Sequence, residues 1–307
     1  MKNGLTIGIP VYNEKDRIER AIRSAAPQCE KLIVSDNASS DGTGPVCEAL
    51  ADEIPNMEYI RNPVNIGAKD NWFQILENTS TPYLMYLGSH DYIDNNYCAP
   101  ALEKLEEDKT LEIVTGELYF NSELESIPVY SYNNWSGGMH DDAYSRVYAF
   151  LHDRAHLAWI TYGIFRTASF KKYFTRDLPT YGIDIIFISR ILKLGRFMVL
   201  NGSRYHAWIN EEKQSNSAYL ERVVARKHGK SELFQLRNNF RVEEYKALLD
   251  FFQHAGYWKI LKLRFHSMVR FGSFRLPGID PLFYLLYVPV KIVRKIDRIF
   301  RLAGNSV

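Results

Sequence analysis

The feature that most restricts the fold is an apolar run that ends abruptly in polar residues. Leu32-Ile33-Val34-Ser35 is followed by Asp36-Asn37-Ala38-Ser39-Ser40-Asp41-Gly42-Thr43. A helical pattern, Val46, Ala49, Leu50 and Ile54, resumes after Gly42-Thr43-Gly44, so the polar cluster belongs to a strand-to-helix crossover. Open α/β sheets bind ligands at such places, because the carboxyl ends of parallel strands leave a crevice at the topological switch point. The flanking segments repeat the pattern. Leu5-Thr6-Ile7-Gly8-Ile9-Pro10-Val11 reads as a buried strand, Asn13 as the cap of a helix with the apolar face Ile18, Ala21, Ile22 and Ala25, and Met57 to Ile60 as another strand. The first sixty residues therefore predict β-α-β-α-β, a mainly parallel sheet with right-handed crossovers.

Further along, Asn62 to Gly67 is a polar turn before a helix carrying Trp72, Phe73, Ile75 and Leu76. Pro82 to Leu87 is a strand that delivers Gly88-Ser89-His90-Asp91 to the same edge as Asp36. Helices are expected near 94–107 and 144–153, strands near 112–120, 159–165 and 197–200, and an aromatic, Asn-rich and Gly-rich acceptor-side loop over 130–139. Asp184 opens a helix (Ile185, Ile188, Ile191, Leu192) that Gly195 ends, and Tyr205-His206-Ala207-Trp208 follows the last strand.

With 46% apolar residues among 307 the chain can build a sizeable core, which excludes a disordered chain. A net charge of +2 argues against nucleic acid as a partner, yet it conceals an asymmetry. From Tyr257 onward ten Lys or Arg face two Asp, so the end of the chain is a distinct basic module. Domains are accordingly expected at 1–215 and 216–307, the second helical and basic. Its interleaved aromatics and cations suit a helix lying on an anionic membrane surface, or else a subdomain packed on the first. The longest apolar stretch, Pro281 to Val293, is short of the roughly 20 residues that span a bilayer. Cys29, Cys47 and Cys98 have no metal-type spacing and read as buried free thiols. The start of the chain runs directly into a strand, and no signal sequence is expected.

Taken together, Ile9-Pro10-Val11-Tyr12-Asn13-Glu14, Ser35 to Thr43, Arg61-Asn62 through Asn65-Ile66-Gly67, Leu87 to Asp91 and Gly182-Ile183-Asp184 make the chain resemble the family 2 glycosyltransferases of the GT-A fold. The similarity extends to their abequosyltransferase-like branch of bacterial surface-polysaccharide enzymes. It covers roughly residues 5 to 210 and implies an α/β, Rossmann-like sheet flanked by helices, followed here by the basic helical extension. It also implies an inverting hexosyl transfer from a nucleotide-diphosphate sugar to a saccharide acceptor, which the basic extension suggests is polyprenyl-linked, at the cytoplasmic face of the membrane.

Residue by residue, the resemblance assigns Pro10, Tyr12, Glu14, Asn65, Ser89 and His90 to the nucleotide pocket, with Lys69 as a phosphate contact or a solvated helix residue. Asp36 would accept the imide N–H of the base, which leans to UDP or dTDP, since a carboxylate is acceptor-only; its plain alternative is a turn-shaping residue. Gly88-Ser89-His90-Asp91 stands where the family has its Asp-x-Asp motif for Mn²⁺ or Mg²⁺, so Asp91 is the remaining carboxylate ligand, with His206 as an added ligand or a structural histidine. Asp184 matches the family's base, which deprotonates the acceptor hydroxyl, its alternative being a helix first-turn residue. Trp135 and Trp159 are candidates to stack on sugar rings, with core packing the favoured alternative for Trp159. A nucleotide-sugar-binding protein that has lost catalysis is the alternative reading of the whole chain.

Overall fold

The computed structural model describes residues 3–121, 126–128, 135–153, 158–178 and 183–208. The expected boundary at 215/216, the basic extension 216–307, Gly182 and most of the 130–139 loop lie outside the described residues.

The described strands are β1 (Leu5–Val11), β2 (Lys31–Asp36), β3 (Met57–Arg61), β4 (Tyr83–Tyr86), β5 (Tyr92–Ile93), β6 (Leu111–Asn121), β7 (Ser126–Pro128), β8 (Ile164–Arg166) and β9 (Arg196–Trp208). The helices are α1 (Ile18–Ala25), α2 (Thr43–Glu53), α3 (Ala68–Glu77), α4 (Cys98–Glu107), α5 (Ala143–Asp153), α6 (Thr167–Tyr173) and α7 (Ile183–Leu194). One sheet runs in the order β3-β2-β1-β4-β8-β6-β9-β5, with β7 added to β6. β3, β2, β1 and β4 are parallel, as expected, and β6 and β9 are parallel to each other, whereas β8 and β5 pair antiparallel.

Strands buried on both faces must be apolar throughout. Leu5, Ile7, Ile9, Leu32, Ile33, Val34, Leu84 and Met85 are wholly buried. Gly8 lets α3 approach β1, since a Cβ there would lie 2.2 Å from Ile75 Cγ2. The same helix is tied to β2 by Asn71, whose amide accepts from Ser35 Oγ (2.7 Å) and Asn62 Nδ2 (3.0 Å) and donates to Ser35 O (2.9 Å). The parallel register aligns Val11, Asp36 and Arg61 in one row at the carboxyl edge.

Three expectations are corrected. Asn13 does not cap α1: it has φ +55, and its side chain accepts from Ser40 N at 2.8 Å, while Arg17 stands at the cap position. The stretch expected as a strand from Trp159 begins as a 3₁₀ segment, Ala158–Tyr162, and extends only after Gly163. The strand expected at 197–200 continues to Trp208. Asn201-Gly202 has the composition of a turn, but Gly202 (φ +83) belongs to a bulge between the pairs Gly116↔Leu200 and Glu117↔Arg204, after which pairing with β6 resumes. His206 is therefore a strand residue.

Candidate active site

The loops after β1, β2 and β3 are sewn together at the carboxyl edge. Ser39 Oγ accepts from Asn13 N (2.9 Å), Thr43 Oγ1 from Glu14 N (2.9 Å) and Asp41 Oδ2 from Lys15 N (3.1 Å). Asn37 Nδ2 donates to Asn65 Oδ1 (3.0 Å), and Asn37 Oδ1 accepts from Ile66 N (2.8 Å), so Asn65 helps to set the turn into α3. Asn13 and Ala38 both hold left-handed backbone (φ +55 and +61). Two non-glycine residues in this region mark a strained, over-determined edge, a pattern that clusters at binding sites.

Asp36 anchors the edge from inside. It is wholly buried; Oδ1 accepts from Ser39 N (2.8 Å), and Oδ2 accepts from Tyr59 OH and Arg61 Nη1 (both 2.8 Å). Arg61 Nη2 also donates to Ser39 O (2.8 Å). Gly44 makes room for this, because a Cβ there would lie 2.1 Å from Arg61 Nη1. A carboxylate offers about four lone-pair sites, so Oδ1 retains acceptor capacity. Beside this cluster Tyr12 is 48% exposed, a ring available to a planar ligand, and Pro10 is half-buried.

Past β4, Asp91 folds back into the protein. Its Oδ2 accepts from Tyr205 OH (2.6 Å) and its Oδ1 from Trp208 N (2.8 Å), and Tyr205 OH in turn accepts from Gly88 N (3.2 Å). A Cβ at Gly88 would lie 2.2 Å from Asp91 Oδ2, so this fold-back requires glycine. Burial raises the Asp91 pKa, with His90, Tyr205 and Trp208 pulling the other way and the Glu14 charge adding to the rise. His90 lies between two carboxylates, Nδ1 3.3 Å from Glu14 Oε1 and Nε2 3.7 Å from Asp91 Oδ1. Ser89 is buried beside it. Arg17 Nη1 lies 3.6 Å from Glu14 Oε2, and Arg20 Nη2 donates to His90 O at 3.3 Å.

The structure does not bring His206 to Asp91. Its Nδ1 accepts from Asn121 Nδ2 (3.1 Å), which places the ring proton on Nε2, facing Asp94 Oδ1 (2.9 Å), and the ring stacks on Tyr92 at 4.3 Å. Neighbouring residues of a strand point to opposite faces, so Tyr205 reaches Asp91 while His206 turns away. The residues at the Asp-x-Asp position do not fit a divalent cation in this arrangement. Such ions ask for several oxygen ligands, whereas here one carboxylate has both oxygens engaged and an imidazole stands between it and the next. Among the described residues no group of three or more His, Cys, Asp or Glu side chains is placed to hold a metal ion.

Asp184 lies half-buried in the first turn of α7. Burial raises the pKa of Tyr162, and the charges of Asp91 and Asp184 add to the rise. Tyr162 also packs on Tyr205, with ring centroids 5.5 Å apart. Lys69 is half-buried on α3. Its Nζ donates to the carbonyls of Arg176 (2.7 Å) and Leu178 (3.0 Å), fastening the loop ahead of α7 to α3. Trp135 packs on Phe197 (5.5 Å), and the side chain of Trp159 lies outside the described residues. Tyr59, Arg61, Tyr162, Tyr205 and the α1 arginines are the site residues not expected from sequence. Only Arg61, quoted within a motif, carried a signal.

Comparison with known proteins bears on the family and the fold. The chain is 25% identical over 126 residues to "Glycosyltransferase GlyA" of Streptococcus pneumoniae, covering 40% of this chain and 18% of that one. It is 30% identical over 102 residues to "Succinoglycan biosynthesis protein ExoA" of Rhizobium meliloti, covering 32% and 31%. The aligned stretches thus span under a third of either relative. Among solved structures, S. aureus TarS 1-349 superposes with a TM-score of 0.57 at 16% identity, covering 91% of this chain and 95% of that one. The same protein in complex with UDP-GlcNAc gives 0.54 at 17% identity, covering 88% and 80%. This likeness shows the fold, a mostly parallel GT-A sheet flanked by helices. The model of "Glycosyl transferase family 2" matches residues 6–178, more than half of the sequence and every element from β1 to α6, and the chain belongs to that family.

Proposed function

We propose that the chain is an inverting glycosyltransferase that moves a hexosyl group from a nucleotide-diphosphate donor to a saccharide. The observation that carries the reading is the convergence, at the carboxyl edge of β1, β2, β3 and β4, of the loops tied together by Asn13, Asn37 and Asn65 and of the Asp91 cluster. Tyr12 offers its exposed ring to the base, and the wholly buried Asp36 braces the Ser39 and Arg61 edge that the base imide meets. The structures of TarS in complex with UDP and with UDP-GlcNAc support uridine, and thymidine presents the same imide. Glu14, Ser89 and His90 line the way from the pocket to Asp91.

Asp184 acts as general base. It takes the proton of the acceptor hydroxyl while that oxygen attacks the anomeric carbon from the face opposite the diphosphate. The new C–O bond forms as the bond to the diphosphate oxygen breaks, the electron pair leaving with the nucleotide; one displacement inverts the anomeric centre. Asp91 is held by Tyr205 and Trp208 as a fixed wall beside the leaving group. The name of ExoA supports a polysaccharide-building role. The basic extension supports a polyprenyl-linked acceptor met at the cytoplasmic membrane face, its cations on anionic headgroups.

The test is turnover of a panel of UDP-, dTDP- and GDP-hexoses with saccharide and polyprenyl-diphosphate saccharide acceptors, followed by NMR of the new linkage. The expected product carries the opposite anomeric configuration to the donor. A retained configuration refutes the single displacement, and nucleotide binding without any transfer would mark a binding protein.

A further inference from the structure

We infer that this chain meets the donor diphosphate with its own cations, Arg17 and Arg20 beside His90, and not through a divalent ion. The inference deepens the proposed donor site and rests on that reading. It starts from the disagreement between the Asp-x-Asp position and what a cation needs.

The first acidic position of that motif is here Ser89, and the remaining carboxylate is spent internally, on Tyr205 OH at 2.6 Å and Trp208 N at 2.8 Å. The next nearest carboxylate, Glu14, turns one oxygen to His90 (3.3 Å) and the other to Arg17 (3.6 Å). His206 is engaged by Asn121 and Asp94. Hard cations gather several oxygens, and these are directed elsewhere.

A set of fixed donors stands in the same place. Arg17 and Arg20, three residues apart, project together beside α1. Both guanidinium carbons lie 5.3 Å from the ring of Trp208, the residue whose backbone N–H holds Asp91, and Arg20 also lies 4.3 Å over Tyr92. Stacking on aromatic faces orients the planar groups while leaving their edges to bind, and a guanidinium edge matches two phosphate oxygens at once. Trp208 Nε1 is buried with no hydrogen-bond partner among the described residues, a further donor in the cluster. The charge balance points the same way. Arg17 and Arg20 offset Glu14 and Asp91, so a diphosphate approaches a neutral cluster; a motif with both its carboxylates repels it until a cation intervenes.

The experiment is calorimetric titration of the full chain with UDP, dTDP, GDP and CDP, each with Mn²⁺ and with EDTA, using the native chain, R17Q, R20Q and the double variant. Circular dichroism establishes that each variant is folded. The tightest nucleotide is expected to bind within about twofold as well in EDTA as in Mn²⁺. The double variant should weaken that affinity about 10- to 100-fold, the value of one or two charge-assisted hydrogen bonds. UMP, lacking the second phosphate, should lose much less. Binding that needs Mn²⁺ and vanishes in EDTA overturns the inference and leaves the donor site standing, as does EDTA-resistant binding that the Arg variants leave unchanged. Failure of every nucleotide under both conditions refutes the donor site itself, and the inference with it.

Discussion

Tyr205→Phe isolates one hydroxyl at the centre of the site. Phenylalanine keeps the ring and its contacts with Tyr97 and Tyr162 (centroids 6.4 and 5.5 Å), so no cavity forms. Two hydrogen bonds disappear: the 2.6 Å donation to Asp91 Oδ2 and the 3.2 Å acceptance from Gly88 N. A hydrogen bond to a charged group is worth about 1.5–3 kcal/mol and an orphaned buried N–H costs about 1–3 kcal/mol, so the variant should lose about 3 kcal/mol at neutral pH. The sign of the pH dependence follows from Asp91. Burial holds its pKa above the ordinary value and the Tyr205 hydroxyl pulls it down, so the variant raises it further. The folded state then keeps a proton that the unfolded chain has released. The cost of burying the charge is full above the folded pKa and fades as pH falls towards the unfolded value, about 4. Urea unfolding followed by tryptophan fluorescence at pH 7 and pH 4.5 measures both. A penalty under about 0.5 kcal/mol at pH 7, against the sum expected for two buried bonds, or a penalty that grows on acidification, refutes the reasoning.

Other consequences are as direct. Alanine in place of a helical glycine ordinarily stabilises by about 1 kcal/mol, but Gly44→Ala should lower the melting temperature, because the new Cβ forces Arg61 off Asp36; a rise would show that the pair contributes little. Lys69→Met should leave UDP affinity within about twofold while slowing turnover, since Lys69 holds loop carbonyls; a tenfold loss of affinity would restore it to the phosphate. Burial pushes the Cys29 and Cys47 thiols up to about 12 and raises Cys98 well above its ordinary value, so none of the three should react with a disulfide reagent at pH 8 until urea unfolds the chain.

What the sequence disclosed follows from how each signal arises. The parallel half of the sheet was legible because strands covered on both faces leave long apolar runs, and because their polar ends, Tyr12-Asn13-Glu14, Asp36-Asn37 and Ser89-His90-Asp91, all emerge at one edge. An asparagine before a helix usually caps it, whereas here tertiary bonding to Ser39 and Ser40 captures Asn13 in a left-handed turn. His206 was misplaced by Asn201-Gly202, which local rules read as a strand end and the pairing with β6 absorbs as a bulge. Two-residue β5 has no periodicity to detect. Arg17 and Arg20 look like an ordinary solvated helix face, and only the return of β9, bringing Trp208 beside them, gives them a role. Tyr205 looks like a core aromatic, and its hydroxyl acquires meaning only from Asp91, which lies far off in sequence.

The most direct test of the central claim compares the native chain with Asp184→Asn on the best donor and acceptor of the panel, measuring donor affinity by calorimetry and transfer by release of nucleotide. Asparagine preserves shape and removes the base. The account predicts donor affinity within about twofold of native and transfer reduced by about 10²–10⁴-fold, the range of general-base contributions. Transfer at the native rate would contradict the assignment of Asp184 and, with it, the single displacement built on this edge of the sheet.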